Sequence, residues 1–258
     1  MRPGQRVEVH LEEGGRVPAA AAALERARLL YADEHLAAVD KPAGVPAQPT
    51  LTSDLGHLPA LAAKLLGGEV LPVHRLDRET SGVVVLARTR AAAAALSAAF
   101  REGTPRKTYL ALTARAPAPP EGRIDAPLGP DPGRPGRRAV LPGGEPAATA
   151  YRTLRTFPGG EALVEARPET GRTHQIRVHL AALGAPLLGD ARYGGPRRRL
   201  ELSFPRVMLH ALRLEILHPA TGAPLAFEAP VPVDFADAER ALLASPVAPA
   251  PGADAEPS

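Results

Sequence analysis

Two stretches hold most of the side chains that could do chemistry. In Val73-His74-Arg75-Leu76-Asp77-Arg78-Glu79-Thr80-Ser81-Gly82, the carboxylate of Asp77 lies between two arginines, just ahead of the apolar run Val83–Leu86. Nearby positive charge keeps such an aspartate ionised, the state that a nucleophile or a general base needs. The competing reading is a solvated turn with surface ion pairs, which add little to stability. Other chemistries do not fit. Asp77-Arg78-Glu79 is not the Asp-x-Asp of aspartyl phosphatases, and Ser81 is not in a Gly-x-Ser-x-Gly elbow.

The second stretch is Gly171-Arg172-Thr173-His174-Gln175-Ile176-Arg177-Val178-His179-Leu180. Ile176, Leu180 and Leu183 predict a helix over 173–183, stopped by Gly184. With Thr173 as N-cap, its free N–H groups beside Arg172 make an anion site. His174 and Arg177 share a face of that helix, whereas His179 points elsewhere. The two histidines therefore do not form a metal site, which needs spacing of three or four on a helix. His179 is expected to be structural, while His174 stays open between structural and functional roles.

The surrounding elements must position these stretches. Short apolar runs at Leu29–Tyr31 and Leu36–Val39, either side of Asp33-Glu34, read as a hairpin that ends at Pro42-Ala43-Gly44. Lys41 with Pro42 and Gly44 reads as a structural turn. Leu58–Leu66 has helical spacing and a Gly67-Gly68 cap, and Gly82–Ala87 is a buried central strand. Thr89 caps a helix over Arg90–Phe100. Strands follow at Lys107–Thr113, Ala148–Thr156, Glu161–Arg167, Met208–Leu217 and Ala223–Ala229, with a last helix at Asp234–Leu243. Ala116–Arg138, rich in Pro, Gly and Arg, reads as a long loop or hairpin excursion. Strands joined by hairpins and mixed with helices, without a regular βαβ repeat, give an α+β fold.

Composition narrows the function classes. The chain has 258 residues, no cysteine and no tryptophan, with 45% hydrophobic and 23% charged residues. Without cysteine there is no disulfide scaffold, thiol nucleophile, iron–sulfur cluster or Cys-ligated zinc. Aromatic residues make up only 3%, which counts against a stacking platform for single strands. Met1–Arg6 contains no apolar signal core, and no run of eighteen apolar residues is present. The expectation is a cytoplasmic protein without membrane attachment.

Arg75-Leu76-Asp77 within His-Arg-Leu-Asp-Arg-Glu-Thr-Ser-Gly resembles the catalytic motif of the RluA-type pseudouridine synthases. The resemblance takes in Leu30-Tyr31, Asp40-Lys41-Pro42-Ala43-Gly44, Lys107-Thr108-Tyr109 and Ala148-Thr149-Ala150-Tyr151. It continues through Gly171–Arg177 and Leu188-Gly189-Asp190 with Tyr193-Gly194, covering about residues 29–230 in order. The resemblance implies a single catalytic domain with a mixed, largely antiparallel sheet flanked by helices. It implies an isomerase that flips a uridine of structured RNA into a pocket, in rRNA before tRNA, without a cofactor. The glycosidic bond breaks, and the freed uracil turns and rejoins through C5.

By that resemblance, Asp77 is the essential aspartate acting on the ribose, either at C1′ or by taking a C2′ proton. Tyr109 packs on the base and assists the late proton transfer, and Arg177 pairs with the catalytic carboxylate. Arg75 enters the RNA stack in place of the flipped uridine. His74, Arg172, His174, Arg137 and Arg138 are expected RNA contacts. Without the resemblance, Tyr109 reads as a packing tyrosine and Arg75 as a phosphate contact.

Three segments are expected: an extension over 1–28, the catalytic domain over 29–244, and a disordered Pro/Ala-rich tail over 245–258. Arg2–Val9 resembles only the last strand of the S4 module found in many relatives, so either this is a short form or the true start lies upstream. Residues 1–244 hold all 31 Lys and Arg and all but two of the 28 acids, so the net charge of +3 conceals a basic face. Arg172, Arg177, Arg192, Arg197, Arg198, Arg199, Arg206 and Arg213 face only Asp190 and Glu201 in the same stretch, a footprint for phosphates. A monomer acting on RNA is expected. The alternative is an RNA-binding protein or RNA chaperone with a vestigial site, and more distantly a one-carboxylate nucleoside hydrolase, which lacks a paired acid.

Overall fold

Gly82–Ala87, apolar without interruption, lies in the interior of a ten-stranded sheet, in a strand buried along its whole length. The computed structural model describes residues 28–48, 57–199 and 201–245. The chain runs β1 (Arg28–Ala32), β2 (Leu36–Lys41), α1 (Leu58–Leu66), β3 (Leu71–Pro72), β4 (Ser81–Ala87) and α2 (Arg90–Glu102). There follow β5 (Arg106–Thr113), β6 (Glu121–Asp125), β7 (Leu128–Pro130), β8 (Arg138–Val140), β9 (Ala148–Thr156) and β10 (Ala162–Pro168). Then come α3 (Gln175–Ala182), a 3₁₀ turn (Ala191–Tyr193), β11 (Arg198–Arg199) and β12 (Leu202–Ser203). The last elements are β13 (Leu209–Leu217), β14 (Pro224–Glu228) and α4 (Val233–Ala244).

The sheet order is β1-β2-β4-β13-β5-β10-β9-β6, with β14 added to β13 and β3 to β4. Its pairings are antiparallel except that of β4 with β13, where His210 stands opposite Ser81 and Ala211 opposite Gly82. Gly82 is required there. Its φ is +116°, and a Cβ would sit 2.1 Å from the Ala211 carbonyl oxygen.

Alternation along the strands puts apolar residues on both faces. Val83, Val85 and Ala87 pack with Ala92 and Leu96 of α2, whereas Val84 and Leu86 pack with Leu58, Leu61 and Ala62 of α1. Further along the sheet, Ala111, Val164 and Ala166 meet Ile176 and Leu180 of α3, and Leu112 and Leu163 meet Phe235 and Leu242 of α4. The helix ends follow their sequence signals. Thr89 caps α2 by accepting from Ala92 N–H at 3.1 Å, and Gly67 and Gly103 end α1 and α2 in the left-handed conformation.

One cap is corrected. The expected helix over 173–183 with Thr173 at its N-cap spans Gln175–Ala182, and His174 occupies the N-cap in the left-handed region with φ 60°. The chain turns at His174 because the Gln175 side chain secures the turn. Its Oε1 accepts from Arg172 N–H and the Thr170 hydroxyl, and its Nε2 donates to the Ala148 carbonyl. Of the first-turn N–H groups expected to make an anion site, that of Gln175 is taken by the Arg172 carbonyl at 3.1 Å. Residues 116–138 are more ordered than a loop: β6 joins the sheet edge, and β7 pairs with β8 as a small hairpin. The expected N-terminal extension and C-terminal tail lie outside the described residues, apart from Arg28 and Ser245. No helix among the described residues is long and apolar enough to cross a membrane.

Candidate active site

Asp77 sits on the turn between β3 and β4, where its carbonyl accepts from Thr80 N–H at 3.1 Å. Three further bonds pin that turn to the end of β2 and the segment after it. Gly44 N–H donates to the Arg78 carbonyl at 2.7 Å, and Arg78 Nε returns a bond to the Gly44 carbonyl at 2.9 Å. Lys41, fully buried, donates from Nζ to the carbonyls of Val45 and Pro42 and to that of Arg78 at 3.2 Å. Burial pushes the Lys41 ammonium down to about 7, against the pull of the Asp77 carboxylate. Arg206 clamps the far side through a two-pronged pair with Asp234 and a long contact to the Glu79 carbonyl. The Asp77 turn is thus held from both sides.

Arg177 reaches Asp77 from α3, one hundred residues along the chain: Nη1 donates to Asp77 Oδ2 at 2.9 Å. Its other edge holds the buried Asp190, with Nε to Oδ2 at 2.7 Å and Nη2 to Oδ1 at 2.9 Å. Burial opposes the guanidinium charge, but Asp190 and then Asp77 outweigh it and raise its pKa. One cation is therefore shared by two carboxylates, in fork geometry that only arginine provides.

A cleft of about 430 Å³ opens over this pair. Arg75, Asp77, Tyr109, His174 and Arg177 line it, as do His74, Arg172 and Lys107. Tyr109, on β5, stands beside Ala211 of β13 and Ala166 of β10. Burial first and the Asp77 charge second push its phenol up, so it remains an O–H donor at neutral pH. Arg75 is exposed at the cleft, while Lys107 donates to the Thr170 carbonyl at 2.9 Å.

The other expected contacts are more committed to the protein. His74 accepts from Val85 N–H through Nε2 at 2.9 Å and stacks on Phe100, and burial pushes it down to about 3. Arg172 bonds the Pro146 carbonyl and Glu145. Arg137 and Arg138 do not line the cleft. Arg137 lies near Asp131 and over the Tyr193 ring, and Arg138 pairs with Glu145. His179 is internal, between Thr149 and the Ala126 carbonyl.

Asp190 and Tyr193 are functional residues that the sequence alone does not single out. Tyr193 Oη lies 2.7 Å from His174 Nδ1 and accepts Arg138 N–H at 3.0 Å, and its ring carries both Arg177 and Arg137 at about 5 Å. The available signal was the string Leu188-Gly189-Asp190 … Tyr193-Gly194, an acid and a phenol following the arginine of α3.

Chemically, the cleft offers one oriented carboxylate, a fixed cation behind it, a protonated phenol and a basic rim. Known proteins resemble the chain as a whole. The pattern of a family described as RNA pseudouridylate synthase matches residues 35–182. The chain is 40% identical over 205 residues to the dual-specificity RNA pseudouridine synthase RluA of Escherichia coli K12, spanning 78% of this chain and 92% of that protein. It is 47% identical over 203 residues to an uncharacterized RNA pseudouridine synthase of Chloroflexus aurantiacus, covering 76% and 63%. Among solved structures, human RNA pseudouridylate synthase domain containing 4 is 30% identical with a TM-score of 0.67, over 84% of this chain and 94% of that one.

Proposed function

The chain belongs to the RluA-type RNA pseudouridine synthases and acts as an isomerase of uridine in RNA, and from that premise we propose how its own residues divide the work. Asp77 is the reacting carboxylate, directed at the ribose of the target uridine. Arg177 bonds and orients it, and Asp190 holds Arg177. Tyr109 packs on the base and moves the late proton. Arg75, exposed at the cleft, fills the stack left by the flipped uridine. The observation that carries this reading is the 2.9 Å Arg177–Asp77 bond at the wall of a cleft large enough for a nucleotide.

The supporting contacts suit the reaction. Isomerisation returns every heavy atom of the uridine to the product, with the C5 proton lost and one gained at N1, so the site has to keep water from the sugar and hold the base near it. An Asp77 turn held by bonds on two sides, at the wall of the cleft, serves that need. Arg172 lies on the cleft wall where the flanking backbone passes, His174 faces Asp77 from that wall at 3.8 Å, and Arg137 and Arg138 act further out, through the arm they belong to. His74 contributes by shaping the wall. A monomer is the form proposed to act. Structured RNA is the substrate, with a ribosomal uridine ahead of a transfer-RNA one.

The test is single-turnover conversion of RNA with Asp77→Asn. Conversion should vanish while the affinity for RNA stays within a few fold of wild type. Normal conversion by the variant would remove Asp77 from its role. Pseudouridine mapping of rRNA and tRNA from a deletion strain, against its parent, identifies the target.

A further inference from the structure

Among the described residues, Arg177 and His174 stand next to the carboxylate of Asp77 with N–H groups, and of the two Arg177 bonds it directly. The other is His174, whose Nε2 lies 3.8 Å from the same Asp77 Oδ2 that accepts from Arg177. That is one short shift from a hydrogen bond, and site hydrogen bonds commonly tighten when substrate binds. For His174 to donate there, its proton must be on Nε2. Tyr193 decides this.

Tyr193 Oη accepts the Arg138 N–H at 3.0 Å and lies 2.7 Å from His174 Nδ1. A phenol has one proton, and both groups are satisfied when that proton is given to Nδ1. The imidazole then carries its own proton on Nε2, facing Asp77. Burial lowers the pKa of His174, against the pull of Asp77, so the neutral form with a single N–H is the one at work. Backbone geometry supports the same end. His174 is the only non-glycine residue with positive φ among the described residues, and that turn aims its ring back at the cleft instead of along α3.

We propose that His174, held by Tyr193 with its proton on Nε2, is a positioning residue that gives Asp77 its second hydrogen-bond donor. Arg177 and His174 then fix one carboxylate oxygen from two directions and leave the other free for the ribose. The chain of contacts begins outside the cleft, at the backbone of Arg138 on β8 and the Arg137 guanidinium over the Tyr193 ring. The arginine-rich hairpin of β7 and β8 is thus in physical contact with the groups that orient Asp77. The inference rests on Asp77 as the reacting carboxylate.

The experiment measures single-turnover conversion rate and RNA affinity for wild type, Tyr193→Phe, His174→Asn, His174→Gln, the Tyr193→Phe/His174→Asn double variant and Asp77→Asn. Asparagine tolerates the left-handed backbone and takes the Nδ1 place, but cannot reach Asp77. Glutamine places an N–H near the Nε2 position. His174→Asn and Tyr193→Phe should each slow conversion by about 10- to 100-fold with RNA affinity unchanged. His174→Gln should recover most of the rate. The double variant should be no slower than His174→Asn, because the phenol acts through the imidazole.

Three outcomes overturn the proposal: wild-type rates in His174→Asn, losses that multiply in the double variant, or slowing matched by weaker RNA binding. The last would make His174 an RNA contact. Thermal unfolding of each variant separates a folding defect from a rate defect, and a recovered rate in His174→Gln cannot come from misfolding. Persistent conversion by Asp77→Asn would defeat the underlying reading of the site. Its loss alongside normal His174 variants would defeat only this inference.

Discussion

Arg177 divides one guanidinium between Asp77 and Asp190, and lysine cannot do so. Arg177→Lys keeps the charge but offers a single point of contact, so the Asp77 carboxylate loses its fixed direction. Single-turnover conversion should fall by about 100-fold while RNA affinity changes little. At this scale the sequence was informative about Asp77 as a carboxylate at the edge of a buried strand, but the cation that bonds it is Arg177 and not the flanking Arg75 or Arg78. Tyr109, His174 and Arg177 took their significance from the resemblance to a family, since in isolation each has an ordinary structural use. Asp190 and Tyr193 were invisible as partners. Their contacts with Arg177 and His174 span 13 and 19 residues, a separation at which spacing carries no information about contact.

The elements make predictions of their own. Gly82→Ala forces a Cβ against the Ala211 carbonyl in the one parallel pairing of the sheet, between strands that also support the Asp77 turn. It should destabilise the protein by more than about 3 kcal/mol in urea unfolding. Thr89→Ala removes only the cap of α2 and should cost about 1 kcal/mol, with conversion unaffected. Strands such as Ala148–Thr156 were legible because alternation and a Pro158-Gly159-Gly160 turn bound them, and capped helices were legible for the same local reasons. The start of α3 was not. Thr173 is a good N-cap by type, but Gln175 captures the Arg172 N–H and Thr170 hydroxyl, and the helix begins two residues later.

Across the whole molecule, buried titratable groups set the response to acid. Burial pushes His74 down to about 3 and His210 to about 4, whereas unfolded histidine titrates near 6.5. Between those values the unfolded chain binds protons that the folded one refuses, so stability is complete above about pH 6.5 and is lost as pH falls toward 4. Asp40 acts the other way, since burial raises it to about 6 and its contribution is lost as pH rises from about 4 through 6. The urea midpoint should therefore fall on acidification, more steeply in Asp40→Asn and less steeply in His74→Gln. The basic surface makes a separate prediction. Arg134, Arg197 and Arg198 are exposed, so changing each to Gln should weaken RNA binding evenly across sequences and lower the salt slope by about one where it meets a phosphate.

Local order determined what the sequence alone could determine: an α+β chain of hairpins and capped helices, a charged aspartate entering a buried strand, and an excess of arginine. These follow from periodicity, turn chemistry and composition, which act between near neighbours. Tertiary structure decided the site. The pairing of β4 with β13 and the docking of α3 on β9 and β10 bring Asp77 and Arg177 together across one hundred residues, and place Asp190 and Tyr193 behind them. A guanidinium shared by two carboxylates, or a phenol that orients a histidine, exists only once packing has excluded water and fixed both partners, so no short stretch of the chain could reveal it.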